Sequence, residues 1–303
     1  MDRVSEIQEK QGIVGRADEL TLLLACAGAR RHVLLEGPVG VGKTVLARAI
    51  ASALGRPIVR VDGDGRYTEQ KLTGWFDPPV VMKSGYAADA FLPGPLVEAM
   101  KGGGVLFLNE LNRMPEGVQN VLLPALDEGQ LVVPKFGLVK AAPGFWVVAT
   151  QNPREFVATS HLSEALLDRF ELVRLEHPPE TEELEIVRRE VRAALGLDEG
   201  TKKSPSKPPI AVATLDGFCQ RALSLVRATR EDPRVRRGAS VRAAISIALL
   251  ATRLAADGMK AEEAFARAVA TALPTRLELA DDSTASLDEV VGELAEEAGK
   301  KKI

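Results

Sequence analysis

The chain has 303 residues, of which 46% are hydrophobic, 27% charged and 4% aromatic, and its formal net charge is −3. This length suggests two domains of ordinary globular composition, and the slight negative charge argues against general attraction to nucleic acid. Two cysteines are too few for a disulfide framework or a zinc site. The charged segment 1–10 has no apolar signal region, and no apolar run reaches the roughly 18 residues that span a bilayer. We therefore expect a cytoplasmic protein without membrane insertion.

Short apolar strands alternate with helices over the first half of the chain. Within Thr44–Leu54, apolar residues recur every three and four positions, which predicts an amphipathic helix. Strands of this kind, separated by helices, are typical of a parallel sheet covered on both faces. The predicted strands are His32–Glu36, Ile58–Val61, Val105–Asn109, Phe145–Thr150 and Leu172–Leu175.

The pattern changes near Pro178, where we place a domain boundary. A helix over Leu184–Leu195 precedes a loop rich in Lys, Ser and Pro at 196–209. The rest predicts a small, all-helical second domain, and the acidic tail from Asp281 predicts one weakly packed helix. The further predicted helices are Leu215–Ala228, Ser240–Ala256 and Ala261–Leu273.

The strongest motif is GPVGVGKT at 37–44, which fits G-x-x-x-x-G-K-T. It follows a predicted strand and opens a predicted helix, as a phosphate-binding loop does. Backbone amides would wrap the phosphates of ATP, Lys43 would contact the β and γ phosphates, and Thr44 would ligate Mg²⁺. The predicted nucleotide-binding residues of this segment are Gly37, Pro38, Val39, Gly40, Val41, Gly42, Lys43, Thr44 and Val45.

A second motif ends the apolar strand 105–109 with Asn109 and Glu110. Acidic residues at this end of a strand are typical of the metal and water side of a phosphate-loop site. An aspartate normally stands where Asn109 does, so the metal would gain a hydrogen-bond acceptor but no negative charge. Glu110 would act as the general base on the attacking water.

Three weaker signals follow along the chain. Asn152 follows the predicted strand 145–150 and would point into the ligand crevice of a parallel sheet. Arg169 is the penultimate residue of LSEALLDRF, which by itself indicates a surface helix whose arginine pairs with an acidic neighbour. Ser240 could cap a helix with Arg242 in its first turn, where a cation is disfavoured unless an anion such as phosphate lies near.

In combination these motifs resemble the MoxR branch of the AAA+ ATPases, from about Gly12 to Ala255. Their order and spacing match as well, which makes the resemblance more specific than the phosphate loop alone. The segments that carry it are HVLLEGPVGVGKT, FLPGPL, LNELNRMPEGVQNVLLPALDEGQ, VVATQNP, LSEALLDRF and RRGASVRA.

The resemblance implies an αβα nucleotide-binding domain at 1–177 with a five-stranded parallel sheet, followed by a helical lid and charged tail at 178–303. Subunits of such proteins form rings, usually hexamers, with ATP between neighbours. An insert in helix 2, at about 67–95, and a hairpin at about 128–144 would project towards the ring face or pore.

The resemblance also implies roles for single residues. Asn152 would be sensor 1, Arg169 the arginine finger that acts on a neighbour's ATP, and Arg242 sensor 2. Ile13 and Val14 would flank the adenine.

Such ATPases remodel or activate partner proteins, often together with a von Willebrand factor A-domain protein. Aromatic residues of the insert and hairpin are substrate contacts or internal packing, and the sequence favours neither. They are Phe76, Tyr86, Phe91 and Phe136.

Two other interpretations stay open at this stage. Asn109 also suits a nucleotide-binding structural or switch subunit that hydrolyses ATP poorly. The helix-2 insert branch also includes chelatase-like motors, and a DNA-associated motor would use the basic stretch 230–242.

Overall fold

The computed structural model of the chain describes residues 2–152, 162–197 and 209–300. The chain divides into two compact units, Met1–Glu176 and His177–Ile303. The predicted loop at 196–209 lies mostly outside the described residues, as does Pro153 after Asn152.

Five strands of the first unit form one parallel sheet, and two antiparallel pairs lie outside it. Each predicted strand is present, with ends that differ by at most two residues, so the predicted α/β class with a five-stranded parallel sheet is confirmed. The sheet order is β2-β5-β8-β1-β9, and β3 pairs with β4 and β6 with β7. The strands are β1 (His32–Glu36), β2 (Ile58–Asp62), β3 (Gly74–Phe76), β4 (Phe91–Pro93), β5 (Val105–Asn109), β6 (Gln130–Val133), β7 (Gly137–Lys140), β8 (Trp146–Gln151) and β9 (Phe170–Arg174).

Helices cover both faces of this sheet. Side chains of a strand alternate between faces, so Leu106 and Leu108 of β5 join one apolar cluster while Val105 and Phe107 join the other. The helices of the first unit are α1 (Arg3–Gln11), α2 (Ala17–Gly28), α3 (Lys43–Ala53), α4 (Glu69–Thr73), α5 (Pro78–Ser84), α6 (Pro95–Gly102), α7 (Glu116–Asn120), α8 (Leu122–Asp127) and α9 (Glu164–Leu167).

The helix expected over LSEALLDRF is only the short α9. Strand β9 begins at Phe170, two residues earlier than predicted, because Phe170 pairs with His32 of β1 and is buried. Phe170 therefore belongs to the sheet and not to the end of the helix.

The predicted insert and hairpin regions contain the two antiparallel pairs. Their aromatic residues pack on one another: Phe76 lies 5.0 Å from Tyr86 and 5.3 Å from Phe91, and Phe91 stacks on Phe136 at 4.1 Å between ring centroids. These four rings therefore join the insert to the hairpin.

The second unit is helical, as predicted, and also carries one small antiparallel pair of strands that the sequence did not predict. The pair was missed because its first strand is arginine-rich and shows no apolar alternation. Its helices and strands are α10 (Glu180–Ala194), α11 (Val212–Glu231), β10 (Val235–Arg237), α12 (Val241–Ala256), α13 (Ala261–Ala272), β11 (Glu278–Leu279) and α14 (Leu287–Lys300).

The acidic tail is better packed than predicted. Val290, Val291, Leu294 and Ala298 of α14 are buried in the apolar core of the second unit. Their spacing of three and four residues places them on one face, which the surrounding acidic residues obscure in the sequence. In the part of the chain that the structure describes, no helix is long and apolar enough to cross a bilayer.

A buried histidine starts the central strand β1. His32 is 8% exposed, its Nδ1 accepts a 3.0 Å hydrogen bond from the backbone N–H of Val147, and Phe145 and Phe170 lie edge-on to its ring. Burial lowers the pKa of His32 to about 4, although a hydrogen bond with the backbone of Leu126 opposes the shift. The ring is therefore neutral at neutral pH.

This burial predicts an acid-sensitive fold. Because the folded pKa lies below the unfolded value of 6.5, the unfolded chain binds more protons between these values. Stability from this group is full above the unfolded pKa and is lost as the pH falls through the folded pKa. Between about pH 7 and 4.5, the free energy of unfolding of wild type should fall more steeply than that of His32→Asn, by on the order of 2 kcal/mol in urea titrations. Equal slopes would contradict the assignment.

Candidate functional site

The phosphate loop connects β1 to α3. Gly40 and Gly42 have φ of 85° and 97°, a region that side chains disfavour. Gly37 is required by close approach instead, since a Cβ there would stand 2.3 Å from the carbonyl oxygen of Leu175. Backbone amides of this loop and the N-terminus of α3 together form an anion-binding element.

Lys43 lies at the junction of loop and helix. Its Nζ donates hydrogen bonds to the carbonyl oxygens of Gly37 at 2.5 Å and Pro38 at 2.9 Å. These bonds hold the ammonium over the loop. Thr44 follows in the first turn of α3 and is partly buried, whereas Val39 and Val45 are exposed.

The N-terminal segment is attached to the phosphate loop by Arg16. Its guanidinium donates to the carbonyl oxygens of Val41 at 3.0 Å and Glu176 at 2.7 Å and pairs with Glu19 at 2.6 Å. Ile13 and Val14, predicted to flank the adenine, directly precede this anchor. Sequence reasoning missed Arg16 because its partners, Val41 and Glu176, are distant in sequence and no motif marks the contact.

Asn109 lies in a chain of hydrogen bonds across three strands. Its Nδ2 donates to Oδ1 of Asp62 at 2.9 Å, and its Oδ1 accepts from Oγ1 of Thr150 at 3.2 Å. Asp62 ends β2, one strand outside β5, and Arg60 beside it holds the pKa of that carboxyl below its usual value. An ionised carboxylate therefore lies beside the amide that stands in the place of an aspartate.

Glu110 follows Asn109 in a left-handed backbone conformation, φ 59°. Its N–H donates to Oγ1 of Thr150 at 2.8 Å, and its carboxylate pairs with Nε of Arg113 at 3.1 Å. A non-glycine residue in this region stores backbone strain, which is common at functional sites. The carboxylate is about one-third exposed and can be reached by water.

Asn152 lies directly after β8 and is 7% exposed. Strand β8 is hydrogen-bonded to both β1 and β5, so Asn152 lies between the phosphate loop and Glu110 along the sheet. Nearby, Nε2 of Gln151 donates to Glu36 at 2.6 Å. The carboxyl edge of the sheet therefore brings Lys43, Asn109, Glu110 and Asn152 together.

The two other arginines predicted for the site are carried by α9 and α12 or the residues next to them. Arg169 pairs with Asp127 at 2.6 Å and donates to the carbonyl oxygen of Ala165, which agrees with the simpler interpretation from sequence. Arg242 lies in the first turn of α12 in the second unit. Ser240 is the N-cap residue, but its side chain makes no capping hydrogen bond, so that expectation was wrong. The backbone of Ala239 is bonded instead to Thr229 and Arg230.

The metal chemistry of this edge fits Mg²⁺ bound with a nucleotide. Among the described residues, no group of three His, Cys, Asp or Glu side chains could hold a metal ion. Thr44 and Asn109 offer oxygen atoms, which Mg²⁺ prefers, and it usually takes further oxygens from phosphates and water.

Comparison with known proteins agrees with these features. A family model described as the AAA domain of the dynein-related subfamily matches residues 32–170. The uncharacterized protein YeaC of Bacillus subtilis is 31% identical over 269 residues, which cover 84% of this chain and 75% of that protein. The gas vesicle ATPase GvpN of Haloferax mediterranei is 33% identical over 177 residues, and this chain spans only about half of its length, 51%.

Two solved structures share the fold. A candidate ATPase from Cytophaga hutchinsonii has a TM-score of 0.50 and 21% identity, with 97% of this chain and 94% of that chain covered. A RuvB mutant from Thermotoga maritima has a TM-score of 0.52 and 21% identity, with 86% and 69% covered. At 21% identity, both similarities show that the fold is shared.

The close approach at Gly37 yields a direct test of the loop. Gly37→Ala should weaken binding of a fluorescent ATP analogue by roughly tenfold or more, because the loop backbone must move away from Leu175. Gly28→Ala is the matched control, since a Cβ at Gly28 meets nothing within 4 Å. Equal affinities for the two variants would contradict the geometry, and thermal unfolding would show that both variants fold.

Proposed function

Because this chain belongs to the AAA+ ATPases and resembles their MoxR branch, we propose that it hydrolyses ATP to remodel or activate a partner protein. The observation that carries the proposal is the convergence of the phosphate loop, Asn109, Glu110 and Asn152 at one edge of the sheet. The name of the relative GvpN, a gas vesicle ATPase, supports hydrolysis at the level of the family.

Each group at this edge has a definite chemical task. Lys43 would leave the carbonyl oxygens of Gly37 and Pro38 for the β and γ phosphates. Thr44 and Asn109 would hold the hydrated Mg²⁺, which when bound neutralises charge on the phosphates. Glu110 would take a proton from the attacking water, and Asn152 would hold that water or the γ phosphate.

Arg169 would complete the site of a neighbouring subunit in a homo-oligomeric ring, which we propose to be a hexamer. An arginine supplied across an interface can contribute about 10³–10⁵ in rate. Its present partner, Asp127, is 44% exposed, and ion pairs at the surface are weak because water screens the charges. The arginine can therefore leave Asp127 at little cost when a neighbour docks.

Arg242 would act as sensor 2 on the γ phosphate. An arginine in the first turn of α12 opposes the helix dipole, and an anionic ligand would relieve this. The helical second unit would then serve as a lid whose closure depends on the nucleotide.

Partner binding is best supported at the two antiparallel strand pairs of the first unit, β3 with β4 and β6 with β7. Phe76, Phe91 and Phe136 pack on one another, whereas Tyr86 packs on Phe76 and is still 53% exposed. Two cross-strand pairs expose apolar surface, Trp75 with Leu92 and Val132 with Leu138. We propose that these pairs contact the protein substrate, or a von Willebrand factor A-domain partner.

A slowly hydrolysing switch subunit is the second candidate, and Asn109 with the Glu110–Arg113 pair favours it. An amide brings no charge to the metal, and Arg113 would have to release the general base. Measurements of steady-state ATPase activity, and of oligomer mass with and without ATP, distinguish the switch subunit from the remodelling ATPase.

A chelatase-like or DNA-associated motor is less well supported, since three arginines of the basic stretch are paired with acidic residues. They are Arg234, Arg236 and Arg237. Stimulation of ATP hydrolysis by DNA would support the DNA-associated motor.

Glu110→Gln should abolish hydrolysis and leave ATP binding intact, because the amide keeps the shape of the side chain but cannot accept the proton. Phosphate release and binding of a fluorescent ATP analogue measure the two effects separately. The control is Glu116→Gln, a change of the same kind on α7. If assembled wild type releases no more phosphate than Glu110→Gln, the enzyme proposal fails.

Arg169→Ala should lower turnover of the assembled protein by about 10³ or more without weakening ATP binding. Arg31→Ala is the matched control, since Arg31 is an exposed arginine paired with Glu171.

Mixing two inactive variants shows whether Arg169 acts across an interface. A Glu110→Gln subunit still offers Arg169, and an Arg169→Ala subunit still offers Glu110. Some mixed interfaces would therefore be complete, and a mixture should recover part of the phosphate release. A mixture as inactive as its components, although shown by mass to co-assemble, would place the action of Arg169 within its own subunit.

A further inference from the structure

The orientation of the Asn109 amide is set by chemistry. Asp62, an ionised carboxylate, can only accept hydrogen bonds, so the group facing it at 2.9 Å must be the amide nitrogen. With the amide reversed, two acceptor oxygens would face each other at that distance. The carbonyl oxygen is consequently turned the other way, towards Thr150 on β8.

This direction leads towards the phosphate loop. The strands lie in the order β2, β5, β8, β1, so Asp62 is on the far side of Asn109 and Thr150 is on the side of β1. An amide differs from a carboxylate in having one acceptor end and one donor end. Only the acceptor end suits a cation or its water, and Asp62 therefore determines which end faces the loop.

Asp62 is itself held in place from both sides. Arg60 donates to its carboxylate at 2.7 Å, and the N–H of Gly63 donates to the carbonyl oxygen of Asn109 at 2.7 Å. A Cβ at Gly63 would stand 2.1 Å from the carbonyl oxygen of Glu110. The segment after β2 is thus packed directly against the backbone of Asn109 and Glu110.

We propose that Asp62 is a positioning residue of the hydrolytic site that orients the Asn109 amide, so that its oxygen serves the nucleotide-bound metal. The inference rests on the proposed function, because it assigns Asp62 to that same site. It also explains how the site works with an amide where an aspartate is usual. Asp62 would not bind the metal itself; it would act by fixing the orientation of the Asn109 amide.

The test measures Mn²⁺ binding by electron paramagnetic resonance, with the full chain and a non-hydrolysable ATP analogue. Asp62→Ala should weaken Mn²⁺ binding about tenfold, as loss of an outer-shell partner does. Asp62→Asn keeps an acceptor for the amide and should stay within about threefold of wild type. Asp64→Ala controls for the loss of a nearby negative charge. Asp62 is more than half exposed, so its variants should fold, as thermal unfolding would show.

The Asn109→Asp background separates orientation from charge. A carboxylate has two equivalent oxygens and needs no orienting, so Asp62→Ala should cause no loss of Mn²⁺ affinity there. A tenfold loss that persists in this background would mean that Asp62 acts by its charge or by supporting the fold, and would overturn the proposal. Equal affinities of wild type and Asp62→Ala would also overturn it and leave the proposed function standing. Wild type that binds no Mn²⁺ with the nucleotide would overturn both.

Discussion

The candidate site depends on one constraint, the parallel alignment of β1, β8 and β5 in adjacent positions. Parallel strands end at the same edge, so residues far apart in sequence meet there without any long loop. The phosphate loop leaves β1, Asn152 follows β8, and Asn109 and Glu110 end β5. The apolar clusters on both faces fix the sheet, and the sheet fixes the distances between these groups.

The hydrogen bonds across this edge show how a charge can be replaced. An aspartate at position 109 would stand beside Asp62, and two carboxylates at that distance repel. The asparagine removes the repulsion and gains a hydrogen bond on each side, to Asp62 and Thr150. Thr150 also accepts a hydrogen bond from the N–H of Glu110, so Asn109 and Glu110 share one fully buried threonine. The asparagine at position 109, where an aspartate is usual, is therefore best explained together with Asp62, its hydrogen-bond partner.

Periodicity and local motifs predicted the five strands, the phosphate loop and the helical second unit because each depends on residues close in sequence. Contacts between distant residues were not predictable in this way. Three such contacts each join separate elements: Asp127 is the acidic partner of Arg169, Arg16 anchors Val41, and Asp62 contacts Asn109. The core position of α14 was missed for another reason, since its acidic composition hid an apolar face of four residues.

The backbone around Glu110 links the two strands that carry the Asn109 pair. Glu110 has a left-handed conformation, which costs free energy and must be maintained by its surroundings. Three contacts help to maintain it: the hydroxyl oxygen of Thr150 accepts a hydrogen bond from its N–H, its carbonyl oxygen accepts one from the N–H of Arg113, and Gly63 packs against that carbonyl oxygen. Any side chain at position 63 would push β2 and β5 apart at this point. The same close approach therefore holds Glu110 in its strained conformation and Asp62 within hydrogen-bonding distance of Asn109, which makes Glu110 and the Asn109 amide parts of one packed unit.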